Sequence, residues 1–350
     1  MILIAYGTRP EIIKLFPVIH ALKRRKVRCT TLFTGQQRDL YEDVKNLVPE
    51  PSLSFADSFS GRGKNNTLGT SFIKICRAAE ELFSKRSFSI VLVQGDTTTS
   101  WALAQMAFYN HIPVAHVEAG LRTFDLQNPF PEELNRTLIS QAAAIHFAPT
   151  SEAAGNLEKA GMKNVHLTGN TIVDAVIYFR KRLKLSIKSS NKVLITLHRR
   201  ENHAVMDRLF DELQGIALEY PDLKFVFPVH PNPNVRKHRK RLTAPNIHIV
   251  APMGYREMLK LISGCRFIIS DSGGLQEEAT CFNKKIIIVR KKTERPETLD
   301  CGLGRLAGTE IRENVAWALE RPPRLSRSPY GDGKASERIA DLLAPYGCRR

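Results

Sequence analysis

The sequence lacks the signatures of several large classes of protein. Its six cysteines include no Cys-x-x-Cys pair, which argues against a zinc site or a disulfide framework and favours reduced thiols. No apolar stretch approaches the roughly 20 residues that a membrane-spanning helix needs. Residues 1–6 are apolar but too short for a signal peptide. We therefore expect a cytoplasmic protein with no membrane partner.

Fingerprints of common cofactors are missing as well. The chain contains no Walker A sequence and no GxGxxG, and Gly302-Leu303-Gly304 is followed by the wrong spacing. His198, Glu201 and His203 match neither HExxH nor HxxEH, so no metal site is predicted.

Acidic residues are in deficit, with 35 Asp and Glu against 52 Lys and Arg, giving a formal net charge of +17. Such a balance favours anionic partners, and it leaves nucleic acid, an acidic membrane surface and a nucleotide sugar open. The basic runs do not alternate with aromatic residues, as a base-stacking surface would. We predict that they are solvated helix ends and loops at residues 23–26, 180–182, 236–241 and 290–292.

Short apolar runs alternate with helical patterns along the chain, which is typical of βαβ units and parallel sheets. The predicted strands are residues 2–6, 27–33, 90–93, 114–117 and 145–148, then 193–197, 223–227, 247–250, 267–270 and 286–289. Pro17 is expected to bend the first helix or to delay its start.

The length of 350 residues favours about two domains. We predict an α/β protein of two Rossmann-like, doubly wound domains that face a central cleft. The first is residues 1–170, joined by a last helix in residues 335–350, and the second is residues 171–334.

Polar motifs follow the predicted strands of the first half. In Gly7-Thr8-Arg9-Pro10-Glu11 the helix start favours an anion, so Arg9 and Lys14 are predicted to face phosphate. Asp96, in Gly95-Asp96-Thr97-Thr98-Thr99, is a catalytic candidate or simply a helix cap.

Two further acidic positions lie in this half. Glu118 ends an apolar strand, where burial would raise its pKa and suit proton transfer. One of the adjacent Glu132 and Glu133 is expected to reach inward while the other faces solvent, and Glu133 alone is typical of a first-turn helix acid.

The second half offers a histidine and an anion cradle. His198 lies at a strand end that faces the predicted cleft. Ser272, Gly273 and Gly274 expose backbone N–H groups at a helix start, which suits phosphate. One of Glu277 and Glu278 is predicted to accept hydrogen bonds from ribose hydroxyls, and Arg295 to offer a guanidinium to the diphosphate.

Taken together, these segments resemble the non-hydrolysing UDP-N-acetylglucosamine 2-epimerases, which have the glycosyltransferase-B fold. The resemblance runs from residue 1 to about residue 309. Its motifs occur in the family's order: GTRPE, GDTTT, HVEAGLR, PEE-x-NR, GNT at 169–171, HRRE, PVHPNPNV at 228–235, DSGGLQEE and TERPE.

The resemblance implies elimination of UDP across C1 and C2 to a 2-acetamidoglucal, followed by re-addition on the other face. It implies catalytic roles for Asp96, Glu118, Glu132 and His198, and it leaves open which acid takes the C2 proton. Implied UDP-sugar ligands are Arg9, Lys14, Arg122, Arg136, His230, Ser272, Gly273, Gly274, Glu278 and Arg295. Neither a metal nor a nicotinamide cofactor is implied, and a homodimer is expected.

Two departures from the family concern regulation. Gln36-Gln37-Arg38 stands where the family often has Gln-His in its allosteric segment, and the loop at residues 57–68 is unusual. Rival functions are an epimerase of another UDP-2-acetamido sugar such as a 2,3-diacetamido uronic acid, a hydrolysing 2-epimerase, a retaining glycosyltransferase, and a basic nucleic-acid-binding protein.

Overall fold

The computed structural model describes residues 1–36, 42–56, 67–230 and 232–347. Gln37, Arg38, Pro231, Cys348 and most of the loop at 57–68 lie outside the described residues. The chain folds as two compact units, here called unit 1 (Met1–Ala175 with Tyr330–Arg350) and unit 2 (Val176–Pro329).

Within the described part of unit 1, seven strands form one parallel sheet in the order β3-β2-β1-β4-β5-β6-β7. They are β1 (Ile2–Tyr6), β2 (Cys29–Phe33), β3 (Leu53–Ser54), β4 (Ile90–Gln94), β5 (Val114–Val117), β6 (Ile145–Ala148) and β7 (Val165–Leu167). The order reverses between β1 and β4, where ligands bind in open α/β sheets.

The helices of this part of the chain are α1 (Arg9–Arg24), α2 (Leu68–Lys85), α3 (Thr98–Tyr109), α4 (Glu132–Ala142), α5 (Ser151–Lys159) and α6 (Thr171–Arg182). Leu3, Val91 and Val93 of the sheet belong to one buried apolar cluster with Ile75 of α2 and Leu103 of α3. Burial of these side chains fixes the two helices on the sheet.

The predicted effect of Pro17 on the first helix is wrong in one respect, because α1 is not delayed. The helix begins at Arg9 and continues through a buried Pro17 to Arg24. A capping box of Thr8 and Glu11 satisfies the first N–H groups and sets the start of the helix.

In the described part of unit 2, six strands form a second parallel sheet in the order β10-β9-β8-β11-β12-β13. They are β8 (Lys192–Thr196), β9 (Lys224–Pro228), β10 (Ile247–Val250), β11 (Phe267–Ser270), β12 (Ile286–Ile288) and β13 (Gly304–Leu306). This order reverses between β8 and β11, so both sheets have the doubly wound topology that the sequence predicts.

The later helices are α7 (Met206–Glu219), α8 (Pro233–Arg236), α9 (Tyr255–Gly264), α10 (Gly273–Cys281), α11 (Pro296–Asp300), α12 (Val315–Leu319) and α13 (Ala335–Gly347). In unit 2, Ile195, Phe227 and Ile269 of the sheet share a buried cluster with Phe210 and Leu213 of α7.

The last helix, α13, is part of unit 1 and packs against α1. Its start is held by the buried Asp174, which accepts hydrogen bonds from the backbone N–H groups of Ala335 (3.3 Å) and Ser336 (2.9 Å). Burial raises the pKa of Asp174, although the Ser336 hydrogen bonds oppose that shift.

Across the described stretches of the chain, every helix is too short or too polar to cross a lipid bilayer.

Candidate functional site

The first motif after β1 uses its own carboxylate to cap α1. Glu11 is buried, and its Oε2 accepts hydrogen bonds from the backbone N–H groups of Gly7 (2.9 Å) and Thr8 (2.7 Å). Its Oε1 accepts from the Thr97 hydroxyl at 2.6 Å. Burial raises the pKa of Glu11, although these hydrogen bonds oppose that shift. The backbone amides of Gly7 and Thr8 therefore serve the helix cap rather than a phosphate. Arg9 Nη1 lies 3.6 Å from Asp43 Oδ2.

Glu118 follows β5 and is held by two donors. Lys14 Nζ forms a buried ion pair with Glu118 Oε2, and Gln94 Nε2 donates to the same oxygen at 3.2 Å. The backbone of Glu118 has a φ of 67°, a left-handed conformation that is uncommon outside glycine and that often marks functional sites. Lys14 was predicted to face phosphate; it forms this ion pair with Glu118, and its phosphate contact stays a prediction. The positive charge of Lys14 favours the ionised form of the Glu118 carboxylate, whereas burial favours the protonated form.

Asp96 follows β4 and is tied to α4. Arg136 Nε lies 3.1 Å from Asp96 Oδ2 and Nη2 contacts the same oxygen, while Asn135 Nδ2 donates to the Asp96 carbonyl at 2.8 Å. Arg136 Nη1 also donates to Glu133 at 3.1 Å. Arg136 is buried, and these contacts make it a positioning group for Asp96; its predicted role as a substrate ligand stays a prediction.

The adjacent acids Glu132 and Glu133 are both at the start of α4, and Glu133 is the one that reaches inward. Glu133 is buried, and its Oε1 accepts the backbone N–H groups of Thr123 and Phe124, each at 3.0 Å. Glu132 is half-buried. Glu133 therefore anchors the preceding loop, a role that requires a contact ten residues away and is not visible in the sequence.

A buried histidine supports the turn that carries Asp96. His116 Nε2 lies 2.7 Å from the carbonyl oxygen of Gly95, whose φ is 69°. Burial lowers the pKa of His116 to about 3, so the ring is neutral at physiological pH. His116 was not among the predicted site residues, although it opens the HVEAGLR motif.

Arg122, at the other end of that motif, is directed into unit 1. Its Nη1 donates to the Leu121 carbonyl at 2.8 Å and its Nη2 to the Ser140 hydroxyl at 2.9 Å. Burial lowers the pKa of Arg122 to about 10. Its predicted contact with substrate stays a prediction.

In unit 2, His198 follows β8 and contacts two side chains. Its Nδ1 lies 3.1 Å from Oδ1 of Asp271, which follows β11 at the neighbouring strand end. Its ring stacks on the ring of His230, with centroids 5.5 Å apart and an interplanar angle of 22°. His230 Nδ1 in turn accepts the backbone N–H of Asn232 at 3.1 Å. Asp271 was missed at the level of sequence.

The start of α10 holds Ser272, Gly273 and Gly274, whose role as a phosphate cradle stays a prediction. Ser272 is the N-cap residue, and its own N–H donates to the Ser270 hydroxyl at 2.9 Å. Among the described residues, apart from the chain neighbours of Gly274 and the backbone of its own helix, no atom lies within 4 Å of the position that a Cβ at Gly274 would take. At Gly273, a Cβ would lie 2.6 Å from Arg295 Nη1. The Cβ position at Gly274 is therefore open, and the backbone amides of this helix start are the groups predicted to bind an anion.

Arg295 belongs to a buried network of charges. Its Nε donates to Glu277 Oε1 at 2.7 Å, and its Nη1 contacts Glu294 Oε1. The other Glu294 oxygen accepts Arg290 Nη1 at 2.9 Å. Arg290 is itself buried, so the predicted solvation of the run at 290–292 is wrong for this residue. The network leaves Arg295 fixed beside Gly273, with its predicted diphosphate contact still a prediction.

Glu277 and Glu278 differ in their surroundings. Glu277 is completely buried and holds Arg295, whereas Glu278 lies one residue further along α10 and is also buried. Because Glu277 is engaged with Arg295, Glu278 is the favoured candidate to accept hydrogen bonds from the ribose hydroxyls. In the described residues, no group of three or more His, Cys, Asp and Glu side chains is arranged to hold a metal ion.

Comparison with known proteins addresses the family. The model of the UDP-N-acetylglucosamine 2-epimerase family matches residues 20–344. This chain belongs to that family. The match extends beyond residue 309, where the recognisable sequence motifs end, and therefore includes α13.

Individual relatives are similar over almost their whole length. The chain is 38% identical to the UDP-N-acetylglucosamine 2-epimerase of Campylobacter jejuni, covering 98% of this chain and 97% of that protein. A crystal structure of the Neisseria meningitidis enzyme bound to UDP-GlcNAc has a TM-score of 0.90 at 33% identity, covering 98% of this chain and 99% of that one. The Methanocaldococcus jannaschii enzyme, in complex with UDP-GlcNAc and UDP, has a TM-score of 0.84 at 34% identity, with 98% and 99% covered. The predicted family and fold class are confirmed.

Proposed function

We propose that this chain is a non-hydrolysing 2-epimerase that interconverts UDP-N-acetylglucosamine and UDP-N-acetylmannosamine. Family membership supports the reaction class. The observation on which the proposal depends most is local: Glu118 and Asp96 lie at the ends of neighbouring strands β5 and β4, each held by a buried cation. Paired carboxylates at adjacent strand ends suit proton transfer to and from one carbon.

The proposed reaction begins with removal of the C2 proton by a carboxylate. The C1–O bond breaks, its electrons leave on the diphosphate of UDP, and a C1=C2 double bond forms. In the reverse step, a UDP oxygen attacks C1 while a carboxylic acid delivers a proton to the opposite face of C2. Two proton-transfer groups are therefore needed, and Asp96, Glu118 and Glu132 are the candidates.

The leaving diphosphate gains negative charge, and we assign its stabilisation to unit 2. The amide of Gly274 lies at the start of α10, where the position that a Cβ would take is open. Helix N-terminal amides stabilise a developing anion without rearrangement during the reaction. His198 is part of the same proposal, because its ring is one-third exposed (33%) and therefore accessible to substrate.

The test uses UDP-N-acetylglucosamine in deuterated water, with C2 followed by proton NMR. We expect deuterium at C2 of the manno epimer and no accumulation of free UDP. Steady release of UDP with free N-acetylmannosamine would instead identify a hydrolysing enzyme. Inactivity on this substrate, with turnover of a UDP-2,3-diacetamido uronic acid, would assign the rival epimerase. Glu118→Gln and Asp96→Asn should each abolish deuterium incorporation, whereas Asp174→Asn, which changes a carboxylate at the start of α13, should not.

We also propose that the chain forms a homodimer through an apolar face of α2 and α3. Ile73, Phe108 and Tyr109 are 63%, 57% and 62% exposed. A groove on these helices is lined by the apolar or weakly polar Phe72, Ile73, Cys76 and Met106 and by the polar Arg77, Glu80, Glu81 and Ser84. A large exposed apolar surface of this kind marks an interaction site. Sedimentation should show a dimer for the wild type and a monomer for Ile73→Lys. Leu218→Lys on α7 is the matched control, because Leu218 is 62% exposed and lies in unit 2.

A cytoplasmic location is the last part of this proposal. The cysteines that the structure describes are free thiols, and reduced thiols are typical of that compartment. Fractionation of the cells that make the protein, followed by immunodetection, tests this point.

A further inference from the structure

Asp271 is a carboxylate of unit 2 that accepts several hydrogen bonds. It directly follows β11 and is completely buried. Its Oδ2 accepts hydrogen bonds from the backbone N–H groups of His198 (2.9 Å) and Arg199 (2.9 Å) and from Asn202 Nδ2 (3.1 Å). Its Oδ1 lies 3.1 Å from His198 Nδ1. One side chain therefore holds both the backbone and the ring of the histidine that ends β8.

The ionised state of Asp271 follows from these contacts. Burial by itself would raise the pKa of Asp271, but the neighbouring His198 and the hydrogen bonds from His198 and Arg199 outweigh burial and lower it. An ionised carboxylate only accepts hydrogen bonds. Because Nδ1 of His198 faces a group that only accepts, Nδ1 must carry the proton. A neutral imidazole has one N–H, so Nε2 of His198 then carries the lone pair.

Resting on the proposed function, we propose that Asp271 is the positioning residue of His198. It fixes the imidazole in the Nδ1–H tautomer and leaves Nε2 as the atom that exchanges a proton or hydrogen bond with the substrate. A carboxylate that orients a histidine in this way is a recurring device in catalytic and metal sites.

The surroundings of the ring support this assignment. The stacked ring of His230 restricts rotation about the Cβ–Cγ bond of His198. The hydrogen bonds from the backbone N–H groups of His198 and Arg199 to Asp271 fix the backbone from which the His198 side chain extends. The ring of His198 therefore has one supported orientation. Asn202 completes the arrangement, because its Nδ2 also donates to the Val289 carbonyl at 3.0 Å and so ties Asp271 to the chain beyond β12.

The first measurement needs no substrate. The full chain is labelled with ¹⁵N-histidine, and the His198 signals are assigned by their loss in His198→Gln. For the neutral ring of wild-type His198, we expect the proton on Nδ1. Detection of the proton on Nε2 would overturn the proposal even if the chain epimerises its substrate. Detection on Nδ1 in a chain that turns over no UDP-2-acetamido sugar would uphold the assignment and reject the proposed function.

The second measurement compares two aspartate variants. Asp271→Asn has one acceptor oxygen where the carboxylate has two, so it no longer imposes the Nδ1–H tautomer. We expect the Nε2–H tautomer to appear and kcat/KM to fall roughly 100-fold, as when other histidines lose the group that orients them. Asp174→Asn is the matched control, since it also removes a buried carboxylate that accepts backbone N–H groups.

The control should lower the melting temperature while the His198 tautomer and kcat/KM remain those of the wild type. A folded Asp271→Asn variant with the wild-type tautomer and kcat/KM would refute the positioning role. If Asp271→Asn fails to fold, the wild-type tautomer measurement still decides the question.

Discussion

The two glycines at the start of α10 are expected to respond differently to substitution by alanine. Gly273 packs against Arg295, whereas Gly274 is proposed to bind the phosphate of a ligand. In Gly273→Ala, the new Cβ would lie 2.6 Å from Nη1 and 3.0 Å from Cζ of Arg295. That guanidinium cannot move aside freely, because Glu277 and Glu294 hold it in the buried network. In Gly274→Ala, the Cβ meets no atom of the described residues within 4 Å, apart from its chain neighbours and the backbone of its own helix. The two substitutions are chemically identical and adjacent, so each is the control for the other.

The magnitudes follow from these distances. Overpacking of a buried site costs about 1–3 kcal/mol, and replacement of glycine by alanine in a helix returns at most about 1 kcal/mol. We therefore expect Gly273→Ala to lower the free energy of unfolding by roughly 1–2 kcal/mol. Gly274→Ala should be as stable as the wild type, or more stable by up to about 1 kcal/mol.

Affinity for UDP should show the opposite order. If a phosphate approaches the Gly274 amide, a methyl group there removes about one charge-assisted hydrogen bond, worth roughly 1.5–3 kcal/mol. This corresponds to a Kd about tenfold to a hundredfold weaker. Urea unfolding gives the stability and isothermal titration calorimetry gives the Kd. Wild-type UDP affinity in Gly274→Ala would refute the phosphate cradle, and wild-type stability in Gly273→Ala would refute the fixed position of Arg295.

Three further predictions concern unit 1. Lys14→Met leaves the buried Glu118 without its paired cation and should lower the free energy of unfolding by about 3–5 kcal/mol; unchanged urea unfolding would reject that pairing. The pKa of His116 is about 3 in the folded protein and about 6.5 in the unfolded chain. On acidification, the unfolded chain therefore binds the proton first. His116 should therefore reduce stability by about 2 kcal/mol between about pH 6.5 and 4.5, and His116→Asn should show a correspondingly smaller loss in urea unfolding. Gly7→Ala would place a Cβ 2.3 Å from the Thr99 hydroxyl and should lower the free energy of unfolding by about 1–3 kcal/mol; an unchanged melting temperature would contradict it.

The sheets were largely predictable from the sequence because buried parallel strands appear as continuous apolar runs. Strands β1, β5, β6, β10 and β11 have the predicted bounds. The strands that were missed, β3, β7 and β13, have only two or three residues each and lie at sheet edges. Their half-exposed side chains give no continuous apolar run, so no local pattern marks them.

The candidate site was predictable in its residue types but not in its pairings. Asp96, Glu118 and His198 stand out because each is a polar residue at the end of an apolar run. Their partners Arg136, Lys14 and Asp271 are 40, 104 and 73 residues away. Only the parallel order of the strands brings such distant positions together, and a single sequence does not contain that information.

The position of α13 has a consequence for synthesis of the chain. In unit 1, residues 335–347 pack against α1, and Asp174 accepts hydrogen bonds from the backbone N–H groups of Ala335 and Ser336. Residues 335–347 are synthesised after the whole of unit 2, so unit 1 acquires its last helix only after unit 2 has been made.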